Sequence, residues 1–214
     1  TSLKEIEIPA FVTWNTWGDY ASVFTDSGLE KVTFTGDDKE LKKGLINDCP
    51  NLTEIVFPDT MTSLGEGALQ NCTALTSINL EQITNIGTSA FEGCSNLTNV
   101  TFNDELIGIG DRAFYGCSSL KNINLPSKLQ WLGQWAFNGC AGIERLEMPD
   151  TLNDMDQYAF ADCTSLQTLK LSKGLTRIAP YAFYNDKLLN QVEIPSGVES
   201  IERRAFANCK SLTE

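Results

Sequence analysis

The sequence predicts a repeat solenoid built from coils of 22–23 residues, and three columns of residues predict it. The seven cysteines, Cys49, Cys72, Cys94, Cys117, Cys140, Cys163 and Cys209, are separated by 23, 22, 23, 23, 23 and 46 residues, and Asp186 fills the vacant place. Three residues after each cysteine comes Leu52, Leu75, Leu97, Leu120, Ile143, Leu166 or Leu212, and the same column holds Leu189 and Leu29. Phe91, Phe114, Phe137, Phe160, Phe183 and Phe206 each follow an alanine, with Ala68-Leu69 as the variant pair. Counting from Leu3 to Leu212, ten landmarks enclose about nine coils, so residues 1–214 read as one solenoid. Residues 1–28 form an atypical first coil, three residues longer, without the cysteine or the Ala-Phe pair.

Each coil opens with a strand. After Leu120 the residues Ile123 and Leu125 point one way and Asn122 and Asn124 the other, an alternation of period two with one buried face. Proline ends the strand at Pro9, Pro58, Pro126, Pro149 and Pro195, because it cannot donate to a ladder. A second short extended piece follows, as in Leu129 to Gly133. The Ala-Phe segment is too short for a free-standing helix and is expected to form one helical turn. A glycine column, Gly65, Gly87, Gly110 and Gly133, gives way to Asp156, Ala179 and Glu202. One coil cannot bury its apolar side alone, so coils stack. Equivalent strands then pair in one parallel sheet on the concave side, with short strands and helical turns on the convex side.

Composition sets the limits. The 214 residues are 42% hydrophobic and 21% charged, a globular balance. The formal net charge of −12 repels phosphate backbones and argues against nucleic acid. Histidine is absent, which excludes Ser-His-Asp and Cys-His catalysis and imidazole-based metal sites. No apolar run reaches the roughly 18 residues of a membrane span. The two ends fall at the same point of the repeat, so the chain reads as a piece of a longer array. No metal or cofactor is expected.

The cysteines are odd in number and spaced by the repeat itself, which fits buried free thiols better than disulfides or a converging metal site. Asp26 and Asp186 are assigned to the cysteine column, each accepting backbone N–H groups of the adjoining turn.

Two surfaces are candidates for binding. On the concave face these are Asn79, Asn99, Thr101, Asn122 and Asn124 in the middle coils, followed by Arg145, Glu147 and Lys170. They read either as a solvated sheet face or as a partner-binding surface. The residue before the column alanine runs Arg112, Trp135, Tyr158, Tyr181 and Arg204, with Trp131 and Tyr115 as expected neighbours. This line reads as a brace between coils or as a platform for a glycan or protein. Trp14, Trp17 and Tyr20 are assigned to shielding the open end of the core.

The running pattern Ala-Phe-x-x-Cys-x-x-Leu-x-x-Ile-x-Ile-Pro, closest in Phe114 to Pro126, resembles the BspA-like class of leucine-rich repeats. The resemblance implies a right-handed leucine-rich-repeat superhelix. It also implies a non-catalytic, cell-surface or secreted module for adhesion, whose partner is a host matrix or cell-surface protein. A stalk without a ligand of its own and a glycan-binding module are the alternatives. An enzyme is the least favoured reading, for want of histidine, a metal motif or an evident cleft.

Overall fold

The computed structural model describes residues 3–9, 23–121 and 123–213. Trp14, Trp17 and Tyr20 lie outside the described residues. Among the described residues, sixteen short strands fall into two sets. The first set holds β1 (Glu5–Ile8), β2 (Lys31–Phe34), β4 (Glu54–Val56), β6 (Ser77–Leu80), β8 (Asn99–Phe102), β11 (Arg145–Glu147), β13 (Thr168–Lys170) and β15 (Gln191–Glu193). The second set holds β3 (Glu40–Leu41), β5 (Ser63–Leu64), β7 (Asn85–Ile86), β9 (Gly108–Ile109), β10 (Trp131–Leu132), β12 (Asp154–Met155), β14 (Arg177–Ile178) and β16 (Ser200–Ile201). All pairs are parallel and join equivalent positions one coil apart, such as Glu5 with Lys31 and Trp131 with Asp154. This is the stacked solenoid that the columns require.

The first set forms the strand face. It is three ladders rather than one sheet: β1–β2–β4, β6–β8 and β11–β13–β15. Between the last two, the described residues of the coil around Asn124 hold no strand, and Lys121 N–H reaches Thr98 O at 3.4 Å. The second set carries the longest run, β3–β5–β7–β9–β10–β12. The turn after these strands survives loss of its glycine. Asp156 N–H still donates to Leu132 O at 3.0 Å, and Glu202 N–H to Ile178 O at 2.9 Å.

The Ala-Phe segments are not helical. Among the described residues there is no helix, and each coil instead turns twice through left-handed backbone. The residue before the alanine position, which Leu45 fills in the earliest of these coils, has φ between 54° and 63° at Gly44, Gly67, Ser89, Arg112, Trp135, Tyr158, Tyr181 and Arg204. The residue before the cysteine position is also left-handed, with φ between 52° and 76°, at Asp48, Asn71, Gly93, Gly116, Gly139, Asp162, Asn185 and Asn208. Donors alternate between the coil and the stack: Ala113 N–H donates to Gly110 O at 3.2 Å and Tyr115 N–H to Arg112 O at 3.0 Å within the coil, while the alternate residues donate along the stack. Phe114 N–H donates to Ala136 O at 2.8 Å, Phe137 N–H to Ala159 O at 2.8 Å and Trp135 N–H to Gln157 O at 3.1 Å. A helix would spend these donors inside its own coil.

The core is a set of parallel stacks. Phe91, Phe114, Phe137, Phe160, Phe183 and Phe206 stack in order, with ring centroids 5.0–6.0 Å apart and planes within 9°. All seven cysteines are buried and free. Each thiol reaches the carbonyl of the preceding coil's turn, as Cys117 Sγ does to Phe91 O and Cys140 Sγ to Phe114 O, both at 3.2 Å. Burial pushes these thiols up, Cys94, Cys117 and Cys163 well above the ordinary range and Cys209, the most exposed, to about 11.

The two aspartates part company. Asp26 is exposed, with φ 54°, and its N–H donates to Asp48 O at 2.8 Å, which places it one step before the cysteine column. Ser27 occupies the thiol's place, its Oγ 3.9 Å from Cys49 Sγ. The assignment fails because only two residues separate Ser27 from Leu29, where three separate Cys49 from Leu52. Asp186 does stand in the column, fully buried. Its Oδ1 accepts Cys163 N–H at 2.9 Å, while its Oδ2 has no partner. Burial pushes this carboxyl up to about 9, so it is protonated at neutral pH.

Candidate functional site: a hollow on the strand face

The outward residues of the strand face are arranged by register. Asn79 lies beside Thr101, Arg145 beside Thr168, and Glu147 beside Lys170. Alternation explains their exposure, since Leu146 and Leu169 between them are buried. Charges along the face are paired between coils. Lys31 donates to Glu54 at 2.6 Å, Lys170 stands 3.9 Å from Glu147, and Lys173 stands 3.5 Å from Asp150. Exposed pairs of this kind contribute about 0–1 kcal/mol each. Arg145 has no ion-pair partner among the described residues.

Beside Arg145 the surface is hollow. A cavity of about 770 Å3 is lined by the polar residues Asn124, Ser127, Arg145, Glu147, Asp150, Thr151 and Lys170 and the apolar residues Ile123, Leu125, Met148 and Pro149. Its lining runs over three successive coils, from Asn124 through Arg145 and Glu147 to Lys170. A second hollow of about 470 Å3 shares Lys170 and continues past Glu193 and Ile194. The structure thus gathers four of the expected residues, Asn124, Arg145, Glu147 and Lys170. Asn79, Asn99 and Thr101 stand on β6 and β8, away from the lining. Their amides are also engaged locally, Asn79 with Glu81 and Asn99 with Thr98 Oγ1 at 2.9 Å. Asn122 lies outside the described residues. Ser127 and Thr151, also in the lining, lie past the proline that ends each strand, outside the alternating stretch that marks outward residues.

The second expected surface is a closed stack. Arg112 Cζ sits 4.7 Å from the Trp135 ring, Trp135 and Tyr158 are 5.7 Å apart, Tyr158 and Tyr181 are 4.5 Å apart, and Arg204 Cζ caps Tyr181 at 5.9 Å. Tyr115 does join, 5.3 Å from Arg112. Ring faces here are turned on one another, so solvent meets ring edges. Trp131 makes no ring contact with this stack and lies on β10 instead.

Comparison with known proteins agrees with the repeat fold. No curated protein matches the chain in sequence. The Treponema pallidum leucine-rich repeat protein is similar in structure, with 26% identity and a TM-score of 0.73, covering 81% of this chain and 82% of that one. A leucine-rich repeat protein from Bacteroides ovatus shares 24% identity with a TM-score of 0.61. That match covers 92% of this chain but only 53% of the Bacteroides protein, so the chain spans about half its length. Six copies of the BspA type leucine rich repeat region match residues 1–98 and 84–213, and the chain belongs to that family.

Proposed function

We propose that this chain is a non-catalytic recognition module that binds a protein partner through its strand face, at the cell surface or in a secreted protein. The observation that carries the reading is the hollow beside Arg145, lined by hydrogen-bonding groups and one unpaired guanidinium together with apolar side chains. Pockets that bind partners commonly combine an apolar base with a few placed polar groups, and solenoids use extended surfaces of this kind. Arginine is also favoured at protein contacts, through its planar fork of donors. The family supports interaction rather than chemistry, and a host matrix or cell-surface protein is the partner class we assign.

The test is surface plasmon resonance against a panel of extracellular-matrix proteins. Replacing Asn124, Arg145 and Lys170 together by alanine should weaken binding by about tenfold or more while leaving the melting temperature nearly unchanged. Equal affinity of the triple variant and the parent protein would remove this face from consideration. A stalk with no ligand would bind none of the panel.

A further inference from the structure

The structure contains a second aromatic surface whose ring face is free. On the outer side of the long ladder, register places Gly108, Trp131 and Asp154 in one row. Their successors Ile109, Leu132 and Met155 are buried, so the row itself faces solvent. A Cβ built on Gly108 would stand 1.9 Å from Trp131 Cε2, 2.2 Å from Cζ2 and 2.2 Å from Nε1. Three ring atoms at nearly one distance mean that the indole lies across the Cα–Cβ direction, flat on the backbone of β9. Glycine at 108 is what admits it. The inner face rests on the ladder while the residue is still 40% exposed, which leaves the outer face of the ring toward solvent.

Polar groups stand on both sides. Ile86 pairs with Ile109, which brings Asn85 level with Gly108 on the adjoining strand. Asn85 Nδ2 donates to Ser63 Oγ at 2.9 Å, and its Oδ1 accepts no hydrogen bond among the described residues. On the other side Asp154 Oδ1 is held by Arg177 Nη2 at 3.2 Å. A flat π face with an amide on one side and a carboxylate on the other matches a pyranose ring. The sugar's C–H face carries partial positive charge and meets the negative ring face, while its equatorial hydroxyls reach the polar rim. Asp154 and the net charge of −12 disfavour uronic or sialic acids.

We propose that Trp131 is a stacking platform for a neutral pyranose of a glycan chain, with Asn85 and Asp154 as its hydrogen-bonding rim. The site lies on the opposite set of strands from the hollow beside Arg145 and does not depend on it. The test follows the Trp131 indole N–H by NMR, assigned with Trp131→Phe, during titration with β-1,4-linked tetraoses of glucose, N-acetylglucosamine and mannose. A saturable shift of that resonance with at least one of them is expected at concentrations up to about 10 mM, and Trp131→Ala should weaken the binding by about tenfold. Gly108→Ala, which displaces the ring without deleting it, should weaken binding as well. Unchanged positions of the other indole resonances show that both variants fold. No shift with any neutral tetraose, or a shift only with tetragalacturonate, overturns the proposal. So does a protein from the matrix panel that shifts this resonance when no sugar does, which would make Trp131 and exposed Ile107 a protein contact.

Discussion

Asp186 interrupts a row of seven thiols, and replacing it with cysteine should stabilise the molecule. In the column each thiol donates to the carbonyl 25 or 26 residues earlier, as Cys163 does to Phe137 O and Cys209 to Phe183 O. The corresponding carbonyl for position 186 is Phe160 O, which accepts no hydrogen bond among the described residues. The carboxyl is fully buried and its folded value is about 9, against an ordinary 3.8. Burial dominates that rise, opposed by the hydrogen bond from Cys163 N–H and helped by nearby Asp162. A raised folded value means that the native state binds the proton more tightly than the unfolded chain. Its stabilising balance is therefore full below about pH 4 and falls by about 1.4 kcal/mol per pH unit until about pH 9. At pH 7 the accumulated cost is on the order of 4 kcal/mol.

Urea denaturation of the wild type, Asp186→Cys and Asp186→Asn at pH 5 and pH 8 measures this directly. The wild type should lose stability between the two values, while both variants lose less, because they have no carboxyl to ionise there. Asp186→Cys should be the more stable at pH 8 by about 2–4 kcal/mol. The comparison between proteins matters, since the net charge of −12 gives every variant some common pH dependence. Parallel pH profiles for all three proteins would refute the buried, protonated carboxyl.

The other predictions follow from the stacks. Phe137→Ala empties the middle of the phenylalanine row and should cost about 3–5 kcal/mol; in a nearest-neighbour array the loss is expected to split the calorimetric transition in two. A thiol reagent at pH 8 should modify the native protein slowly, Cys209 first as the most exposed, and all seven thiols only in denaturant. Rapid labelling of Cys117 or Cys140 would contradict their burial.

The columns made the core legible. Phe91 to Phe183, Leu52 to Leu189 and the cysteines are all buried, because a fixed period leaves each side chain the same neighbours in every coil. The turns were half legible. Asp, Asn and Gly before the cysteine are residue types that tolerate left-handed backbone, and that signal was in the sequence. Before the alanine only Gly44 and Gly67 carry it, and Arg112, Trp135 and Tyr158 conceal it. Hydrogen bonds between coils override local preference there, and no window within one coil contains them. The hollow beside Arg145 was illegible for a similar reason. The Asn124 coil has the same alternation as its neighbours, and the lining is drawn from three successive coils, which no single coil's pattern contains.

The turn itself yields the sharpest contrast between the helical expectation and the observed backbone. Tyr158 has φ 59° and stacks on Trp135 at 5.7 Å and on Tyr181 at 4.5 Å. Tyr158→Ala and Tyr158→Gly both delete the two ring contacts, each worth about 0.5–1.5 kcal/mol, so that loss cancels between them. What remains is the backbone. In a helical turn alanine would be better than glycine by about 1 kcal/mol. In left-handed backbone the alanine Cβ costs roughly 1–2 kcal/mol, which outweighs the freedom that glycine gains in the unfolded chain. Glycine should therefore be the milder substitution, reversing the usual order. Denaturation midpoints of the two variants decide it, and an alanine variant more stable than the glycine variant would mean that the chain does not turn left-handed at this position.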